Sequence, residues 1–331
     1  VKPALHTPVP PSGTPLAAHI QRPQTSRWLL ALMISLMILI WAFNFLVAKV
    51  GLRHLPPLTL ASFRVVLAGL IMLVLYLPQR ARLPRPTSRD LWVFARLGLL
   101  GVALNQVLFT VGLRYTTVGH SSLIIGTGPI TILLLARLMG LETLTVKKTL
   151  GVGLSFSGLA VLVSESGQIA NQHLGGPGGT WLGDLITLAG SLAFAGFAVA
   201  GKRVASRYDS LSVNTFAHLT GAVLVLPLAI GQGLLLDWRA VRWPGWFALA
   251  YMAGLASVAA YLIWYWALRR MAASRLAVFG YLQPLLATTL GVLFLGEAVT
   301  AHLLLGGGLI VAGVILAELG PRDEPIRENI P

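Results

Sequence analysis

The sequence of 331 residues contains no cysteine. Disulfide bonds, thiolate nucleophiles and cysteine-ligated metal sites are therefore excluded from its chemistry. The HExxH, GxSxG and Walker A motifs are also missing, so metalloprotease, hydrolase and ATP-driven activities have no support in the sequence. We expect no enzymatic activity, no cofactor and no bound metal.

Charged residues are scarce. They make up 11% of the chain, whereas soluble domains carry about 25%. Acidic residues are the fewest, with 11 Asp and Glu against 25 Lys and Arg, and the formal net charge is +14. Such an excess would suggest a nucleic-acid partner for a soluble protein. Because the basic residues lie mostly between apolar runs, we interpret them as topology signals and expect no nucleic-acid partner.

Long apolar runs dominate what remains. Hydrophobic residues form 56% of the chain, and many runs exceed the roughly 18 residues expected of a membrane-spanning helix. The alternation typical of membrane β-barrel strands is not seen. We predict an all-α membrane protein with ten transmembrane helices. The predicted spans are 28–49, 58–77, 91–113, 118–139, 146–165, 181–201, 211–235, 246–268, 274–295 and 300–319.

Polar segments flank and divide these spans. Residues 1–26 are Pro-rich and contain no acidic residue, which predicts a disordered N-terminal tail. A Gly-rich linker at 166–180 separates one five-helix unit at 27–165 from a second at 181–319, and 320–331 form a polar C-terminal tail. Lys and Arg are concentrated in the tails and in alternate connections, so we place both termini in the cytoplasm.

The second unit repeats the first. Because five is an odd number of helices, the second unit must enter the membrane from the opposite face, so the repeat is inverted. Inverted repeats are typical of secondary transporters, whose halves exchange conformations to give alternating access. The recurring pairs include Lys49 with Lys202, Leu58 with Leu211, Phe63 with Phe216, Pro129 with Pro284, Glu142 with Glu297, Thr145 with Thr300, Gly151 with Gly306, and Gly158 with Gly313.

Residues 41–70, "WAFNFLVAKVGLRHLPPLTLASFRVVLAGL", resemble the first two helices of EamA-type transporters of the drug/metabolite transporter superfamily. The Pro…Glu-x-x-Thr…Gly…Gly pattern that ends each unit is also similar to theirs. The resemblance covers about residues 28–318. It implies a ten-helix carrier in the bacterial inner membrane, with a central cavity between the repeats and export of small metabolites, as in YddG-like amino-acid exporters. The second unit departs from the pattern at Arg64, where Ala217 stands with His218 beside it.

Two predicted helices carry aromatic side chains at helical spacing. If these faces line the cavity, they favour flat apolar or cationic groups through stacking and cation–π contacts. Ordinary packing or an interfacial aromatic belt is the alternative. The candidates are Trp41, Asn44 and Phe45 on the first helix and Tyr261, Trp264 and Tyr265 on the eighth.

Other spans contain polar side chains, which usually face protein or water. Interhelical hydrogen bonding is the alternative to substrate contact. We expect His120 near the outer surface rather than in a proton relay. The further candidate substrate ligands are Asn105 and Phe109 of the third span, Ser121 and Thr127 of the fourth, and Gln283 of the ninth.

Pro129 and Pro284 each fall near the middle of a predicted span. A proline there removes a backbone donor and frees a carbonyl, which in a membrane must be buried in protein or line a wet cavity. We predict hinges at Gly128, Pro129 and Pro284, and a packing kink is the alternative.

Charged and capping residues near helix ends are predicted to be structural. A Thr N-cap with a nearby carboxylate suits a helix N-terminus, and long basic side chains extend to the membrane surface. A gating role or a contact with a substrate carboxylate is the alternative for the two basic residues. The set comprises Glu142, Thr145, Glu297 and Thr300 as caps, and Lys49 and Arg64 as residues of the outer interface.

These patterns together predict an inner-membrane secondary transporter that exports small organic metabolites, with amino acids as the first candidate. A multidrug exporter of aromatic cations is a second transport hypothesis, and a channel or a non-transport intramembrane protein belongs to another class. No acidic residue lies clearly at mid-membrane depth, so proton coupling has no support. The expected partners are a small-molecule substrate and the lipid bilayer, with a homodimer left open.

Overall fold

The computed structural model describes residues 27–83, 86–138, 145–169, 179–205, 207–270, 276, 279–280 and 282–318. All regular secondary structure in these ranges is helical. Both predicted tails, Glu142 and the middle of the predicted linker lie outside the described residues.

The helices are numbered here α1 to α10 in chain order. Two of them contain a π-helical segment, and α4 is interrupted once. Their bounds are α1 Arg27–Gly51, α2 Pro57–Tyr76, α3 Ser88–Tyr115, α4 Val118–Gly126 continued by Gly128–Leu138, α5 Val146–Ile169, α6 Gly179–Ala205, α7 Ser210–Leu235, α8 Trp243–Leu268, α9 Leu282–Leu295 and α10 Ala301–Glu318.

Seven helices in the described ranges are long and apolar enough to cross a bilayer, namely α1 to α4 and α6 to α8. The apolar helices α9 and α10 are shorter. The observed ends lie within a few residues of the predicted ones for most helices. The exceptions are α5, which continues to Ile169, and α9, which within the described residues begins at Leu282. The fold is therefore an all-helical membrane protein with several spans.

Helix starts carry the side-chain caps that satisfy free backbone amides. The Thr117 hydroxyl accepts from the His120 N–H at 3.1 Å at the start of α4, and Asp209 accepts from the Ser212 N–H at 2.9 Å at the start of α7. At the start of α3, Thr87 and Asp90 form a capping box. These caps fix where the spans begin.

Helices α5 and α10 pack in close contact because glycines face each other. A Cβ added at Gly158 would lie 2.5 Å from the Gly306 carbonyl oxygen, and one at Gly313 would lie 2.5 Å from that of Gly151. The Ser155 hydroxyl also donates to the Ile310 carbonyl at 3.2 Å. Small residues allow two backbones to approach where lipid provides no hydrophobic driving force. The glycines that recur in the sequence are therefore one interface between the two units.

The other large helix contacts also join a helix of one unit to a helix of the other. Helix α2 packs along α7, α3 packs along α6, and α1 lies against α8 and α9. A Cβ at Gly183 of α6 would lie 2.7 Å from the backbone of Thr116, just beyond the end of α3. Each unit therefore packs mainly against the other, and the space between them becomes the centre of the molecule.

Helices α3 and α8 each contain a π-helical segment, at Gly98–Leu104 and Met252–Ala259. The two segments occupy equivalent positions in the two units. A π-segment inserts extra backbone into a helix and is frequent at functional sites. The residues next to these segments, Gln106 and Tyr261, face the centre of the molecule.

The interruption in α4 lies at Thr127, whose hydroxyl donates to the Ile124 carbonyl at 2.6 Å. Gly128 and Pro129 begin the second segment, where a proline costs little because the first-turn amides are free in any case. Pro284 is in the first turn of α9 rather than at mid-helix. A Cβ at Gly126 would lie 2.8 Å from the Pro284 ring, so the two predicted hinges meet.

Candidate functional site

A cavity of about 120 Å³ lies between the two units. Helices α1, α2, α3, α4, α6 and α8 line it, together with Leu276 and Gly280, which precede α9, and Gln283 in the first turn of α9. Eight of the predicted substrate ligands and two of the predicted hinge residues line this cavity. They are Trp41, Asn44, Phe45, Asn105, Phe109, Tyr261, Trp264 and Gln283, with Gly128 and Pro129.

One side of the cavity is an aromatic wall, defined here as Trp41, Phe194, Tyr261 and Trp264. The Trp41 ring lies 5.8 Å from both Tyr261 and Trp264 and 6.1 Å from Phe194, measured between ring centroids. The indole N–H of Trp41 donates to the Ala256 carbonyl at 3.1 Å. This bond fixes the indole, so the wall is a preformed surface for a flat or apolar group.

A second group of lining residues is a polar edge, defined here as Arg64, Gln106 and Asn44. Arg64 is 3% exposed, Gln106 1% and Asn44 5%. The Arg64 Nε donates to the Ser257 hydroxyl at 2.8 Å, and that hydroxyl donates to the Gln106 Oε1 at 3.0 Å. This chain of hydrogen bonds orients the guanidinium and the amide together.

Three atoms of the polar edge have no hydrogen-bond partner: Arg64 Nη1, Gln106 Nε2 and Asn44 Oδ1. The Tyr261 hydroxyl donates to the Gly101 carbonyl at 2.9 Å and lies beside the Gln106 side chain, outside the geometry of a full hydrogen bond. A buried polar atom without a partner costs roughly 1–3 kcal/mol. Two donors, one of them charged, and one acceptor on cavity-lining side chains are therefore buried without a hydrogen-bond partner.

Arg64 corrects the prediction that it extends to the outer interface. It lies seven residues into α2, which is roughly 10 Å along the helix axis, and its side chain faces protein. Among the described residues that line the cavity, Arg64 carries the only formal charge. The placement favours the alternative role of Arg64, a contact with a substrate carboxylate.

Lys49 is the second basic residue that the sequence predicts to be structural. Its ammonium donates to the Leu113 carbonyl at 2.7 Å and to the Thr116 carbonyl. Free carbonyls at a helix C-terminus carry a partial negative charge, so a cation there is stabilising. Lys49 therefore joins the end of α1 to the end of α3.

Glu297 does not cap the helix that follows it. Its two carboxylate oxygens accept from the backbone amides of Val118 at 2.7 Å and Gly119 at 3.0 Å, at the start of α4. Gly296, with φ 69°, ends α9, and the Glu297 N–H returns to the Gly291 carbonyl at 3.2 Å. This turn directs the carboxylate at the other unit.

The predicted threonine caps are in place. The Thr300 hydroxyl accepts from the Leu303 N–H at 3.1 Å, and the Thr145 hydroxyl from the Lys148 N–H at 3.4 Å. Glu142 lies outside the described residues.

Several predicted ligands lie away from the cavity. Ser121 is fully buried near the start of α4, and Thr127 closes the α4 interruption. Tyr265 packs against Phe197 at 5.5 Å and against Gly201 of α6. Pro284, one of the predicted hinges, packs on Gly126 and is not among the cavity-lining residues. Helical spacing places Tyr265 one turn from Tyr261, but α6 covers the Tyr265 side chain.

His120 lies in the first turn of α4, where its side chain is buried in the protein. Its Nδ1 lies 3.1 Å from Asp184 Oδ2, and the Thr116 hydroxyl donates to Asp184 Oδ1 at 2.5 Å. The two ionisable groups belong to different units, so this cluster ties α4 to α6. It adds to the links made by Lys49 and Glu297 at the same end of the bundle.

Sequence reasoning missed part of the site. Phe194 completes the aromatic wall, and Ser257 orients Arg64 from behind the cavity. Phe194 occupies the repeat position of Trp41, so the repeat itself was a usable signal. Nothing in the spacing of Ser257 indicates its contact with Arg64, because α2 and α8 meet only in the folded chain.

This architecture defines a polytopic helical membrane protein with a cavity between its two units. The EamA-like transporter family matches the chain twice, over residues 28–164 and 181–319. The chain belongs to this family, and it is therefore a multi-pass membrane transporter of the drug/metabolite superfamily rather than a member of an enzyme family.

Relatives named as transporters cover nearly the whole chain. An "uncharacterized transporter" of Archaeoglobus fulgidus is 29% identical over 289 residues, 86% of this chain and 96% of its own. A "probable terminal-alkyne amino-acid exporter" of Streptantibioticus cattleyicolor is 28% identical over 292 residues, 87% of this chain and 94% of its own. The "uncharacterized inner membrane transporter YedA" of Escherichia coli K12 is 26% identical over 283 residues, 85% of this chain and 88% of its own.

A solved crystal structure also matches, with TM-score 0.60 and 23% sequence identity, covering 89% of this chain and 98% of its own. At that identity the match shows a shared fold alone.

Proposed function

We propose that this transporter exports amino acids across a bacterial inner membrane by alternating access, with ten spans arranged as two inverted five-helix units and both termini in the cytoplasm. The observation that carries the proposal is the composition of the central cavity, which is lined both by an aromatic wall and by a polar edge that contains a buried arginine. Amino acids present an ionised head and, in many cases, an apolar side chain. The similarity to a named amino-acid exporter supports the same class.

The arrangement of polar links supports alternating access. Lys49, Glu297 and the His120–Asp184 pair join α1, α3, α4, α6 and the segment after α9 at one end of the bundle. We assign this end to the outside, so the state described is closed outward. Opening it would break these links together, while the cavity passes to the other face.

The opposite end has its own link. The Tyr208 hydroxyl donates to Asp90 Oδ2 at 2.6 Å and joins the start of α3 to the segment before α7. Burial raises the pKa of Tyr208, so the hydroxyl keeps its proton and this bond at physiological pH. This link joins α3 to the segment before α7, which pack against each other, and it does not involve α1, α4 or α9, which line the cavity.

Solute counterflow in proteoliposomes tests the proposal. Vesicles containing the purified full-length protein are loaded with a mixture of amino acids and aromatic cations, and exchange of each solute is followed by mass spectrometry at two pH gradients. We expect saturable exchange of amino acids. Saturable exchange of cations alone would favour the multidrug alternative, and flux that neither saturates nor shows counterflow would indicate a channel.

The aromatic-cation alternative has one observation in its favour, the aromatic wall, since aromatic faces attract cations. The buried positive charge of Arg64 argues against it, because a cation in a low-dielectric cavity would be repelled. Amino acids satisfy both features.

A further inference from the structure

Arg64 is a buried cation whose charge no carboxylate among the described cavity-lining residues offsets. Taking an ion out of water costs several kcal/mol unless a partner is supplied. In a transporter, the charge of such a group can be offset by an anion that binds in the cavity and is then released. A substrate anion meets that requirement.

The hydrogen-bond chain sets the direction from which the anion is bound. Ser257 accepts from Arg64 Nε and donates to Gln106 Oε1, and the Gln106 Nε2 donor is left beside the Tyr261 hydroxyl without a full hydrogen bond. Arg64 Nη1 is free as well. Two donors on neighbouring side chains suit the two oxygens of a carboxylate, and the planar guanidinium matches carboxylate geometry better than an ammonium does.

The acceptor in the polar edge lies on a third helix. Asn44 Oδ1 of α1 has no hydrogen-bond partner, and Trp41 lies one turn earlier on the same helix face. A carbonyl oxygen and an aromatic face are both groups that attract an ammonium ion. The polar edge thus carries separate sites for a negative and a positive charge.

We propose that Arg64 and Gln106 bind the carboxylate of a zwitterionic α-amino acid, that Asn44 binds its ammonium group, and that its apolar side chain lies on the aromatic wall. The proposal rests on the proposed function in one respect, that the cavity is the transport site. It goes further by making the carboxylate the obligatory group. A solute with the same side chain and amine but no carboxylate leaves Arg64 unpaired and adds a like charge beside it.

Three probes that share one benzyl group test this assignment. They are L-phenylalanine, a zwitterion; L-phenylalaninamide, a cation; and 3-phenylpropionate, an anion without an amine. Their affinities for the purified full-length protein in detergent are measured by titration calorimetry, a readout that does not require transport. We expect phenylalanine to bind about tenfold to a hundredfold more tightly than its amide, the range that one charged hydrogen bond gives.

Two variants localise the effect. Arg64→Met, of similar length and without charge, should lose phenylalanine affinity by a similar factor while affinity for the amide stays the same or rises. Gln106→Leu should lower the phenylalanine affinity about threefold to tenfold, since a hydrogen bond from a neutral donor contributes less than one from a charged donor. Arg114→Gln, an exposed residue at the end of α3, is the matched control and should bind phenylalanine as the wild type does.

The assignment fails if the wild type does not bind phenylalanine, if it binds the amide equally well, or if folded Arg64→Met binds phenylalanine normally. Equal affinity for 3-phenylpropionate and phenylalanine would remove Asn44 from the ammonium site. Binding through Arg64 without counterflow would end the transport proposal and leave the carboxylate site. If Arg64→Met leaves phenylalanine counterflow unchanged, the transport proposal stands and the carboxylate site at Arg64 is ruled out.

Discussion

The two groups of cavity-lining residues relate differently to the repeat. The aromatic wall follows it in part, because Trp41 and Phe194 occupy equivalent positions and Trp264 is matched by Phe109, an aromatic residue that lines the cavity outside the wall. The polar edge departs from it. Its members Arg64, Asn44 and Gln106 are matched in the other unit by Ala217, Phe197 and Tyr261.

The difference separates what two inverted units need from what a substrate needs. Surfaces that must exchange roles during alternating access benefit from being similar in both units. A zwitterionic solute has one carboxylate and one ammonium group, so its charged contacts cannot be doubled without leaving one set unpaired. Residues that pack the two units together are therefore similar in both units, whereas the residues proposed to bind charge occur in one unit only.

The largest expected effect concerns the α5–α10 interface, because the glycines repeated in the two units are needed there for close helix packing. In Gly158→Leu the new side chain would meet the Gly306 carbonyl and the Ile310 backbone, neither of which can move alone. We expect a loss of about 1–3 kcal/mol or more of stability, measured by thermal unfolding of the purified protein in detergent. Gly153→Leu on the same helix is the control, since a Cβ there meets nothing within 4 Å. Equal losses from both would show that the close approach is not what the glycines serve.

The aromatic wall gives the next effect. Because Trp41 and Phe194 are equivalent, Trp41→Ala and Phe194→Ala should each reduce phenylalanine counterflow by about tenfold, corresponding to roughly 1.4 kcal/mol of lost contact. Trp243→Ala is the control, since Trp243 is 74% exposed at the start of α8. Unchanged counterflow in both cavity variants, with normal folding, would remove the wall from the substrate site. A loss in only one of them would show that the wall is as asymmetric as the polar edge.

The sequence predicted more of the wall than of the edge, and the reason is physical. Helical spacing shows which residues share a face, and Trp41, Tyr261 and Trp264 were found in this way. It does not show which face another helix covers, so Tyr265 and Ser121 were included although both are buried in packing. The ends of α1, α2, α7 and α8 were predicted within a few residues because apolar length determines them.

Contacts between the units could not be predicted. Arg64 was assigned to the outer interface because long basic side chains often extend there, and only the folded chain brings Ser257 beside it. Glu297 was assigned to its own helix because the sequence shows the cap residues near Thr300. Its true partner, the start of α4, is distant in the chain and is reached through the turn at Gly296.

Glu297 also gives a smaller test, of the links that close one end of the cavity. Glu297→Gln keeps the shape but removes the charge that faces the Val118 and Gly119 amides. We expect a loss of about 1 kcal/mol in thermal unfolding, with phenylalanine affinity unchanged. Asp237→Asn, which caps a short turn near the surface, is the control and should change stability less. Full stability with abolished counterflow would mean that Glu297 acts in transport rather than in capping.

The smallest effect concerns His218, the buried residue beside the Arg64-equivalent position. Its Nδ1 lies 2.9 Å from the Asn214 carbonyl, and its ring meets Tyr261 edge-on at 5.2 Å, but it does not line the cavity. If charge is recognised by one unit only, His218→Met should lower phenylalanine affinity by no more than about threefold, or roughly 0.6 kcal/mol, where Arg64→Met lowers it far more. Calorimetric titration of both variants with phenylalanine gives the comparison directly. A loss at His218 as large as that at Arg64 would mean that α7 contributes to anion binding after all, and the polar edge would then follow the repeat in function although its residues differ.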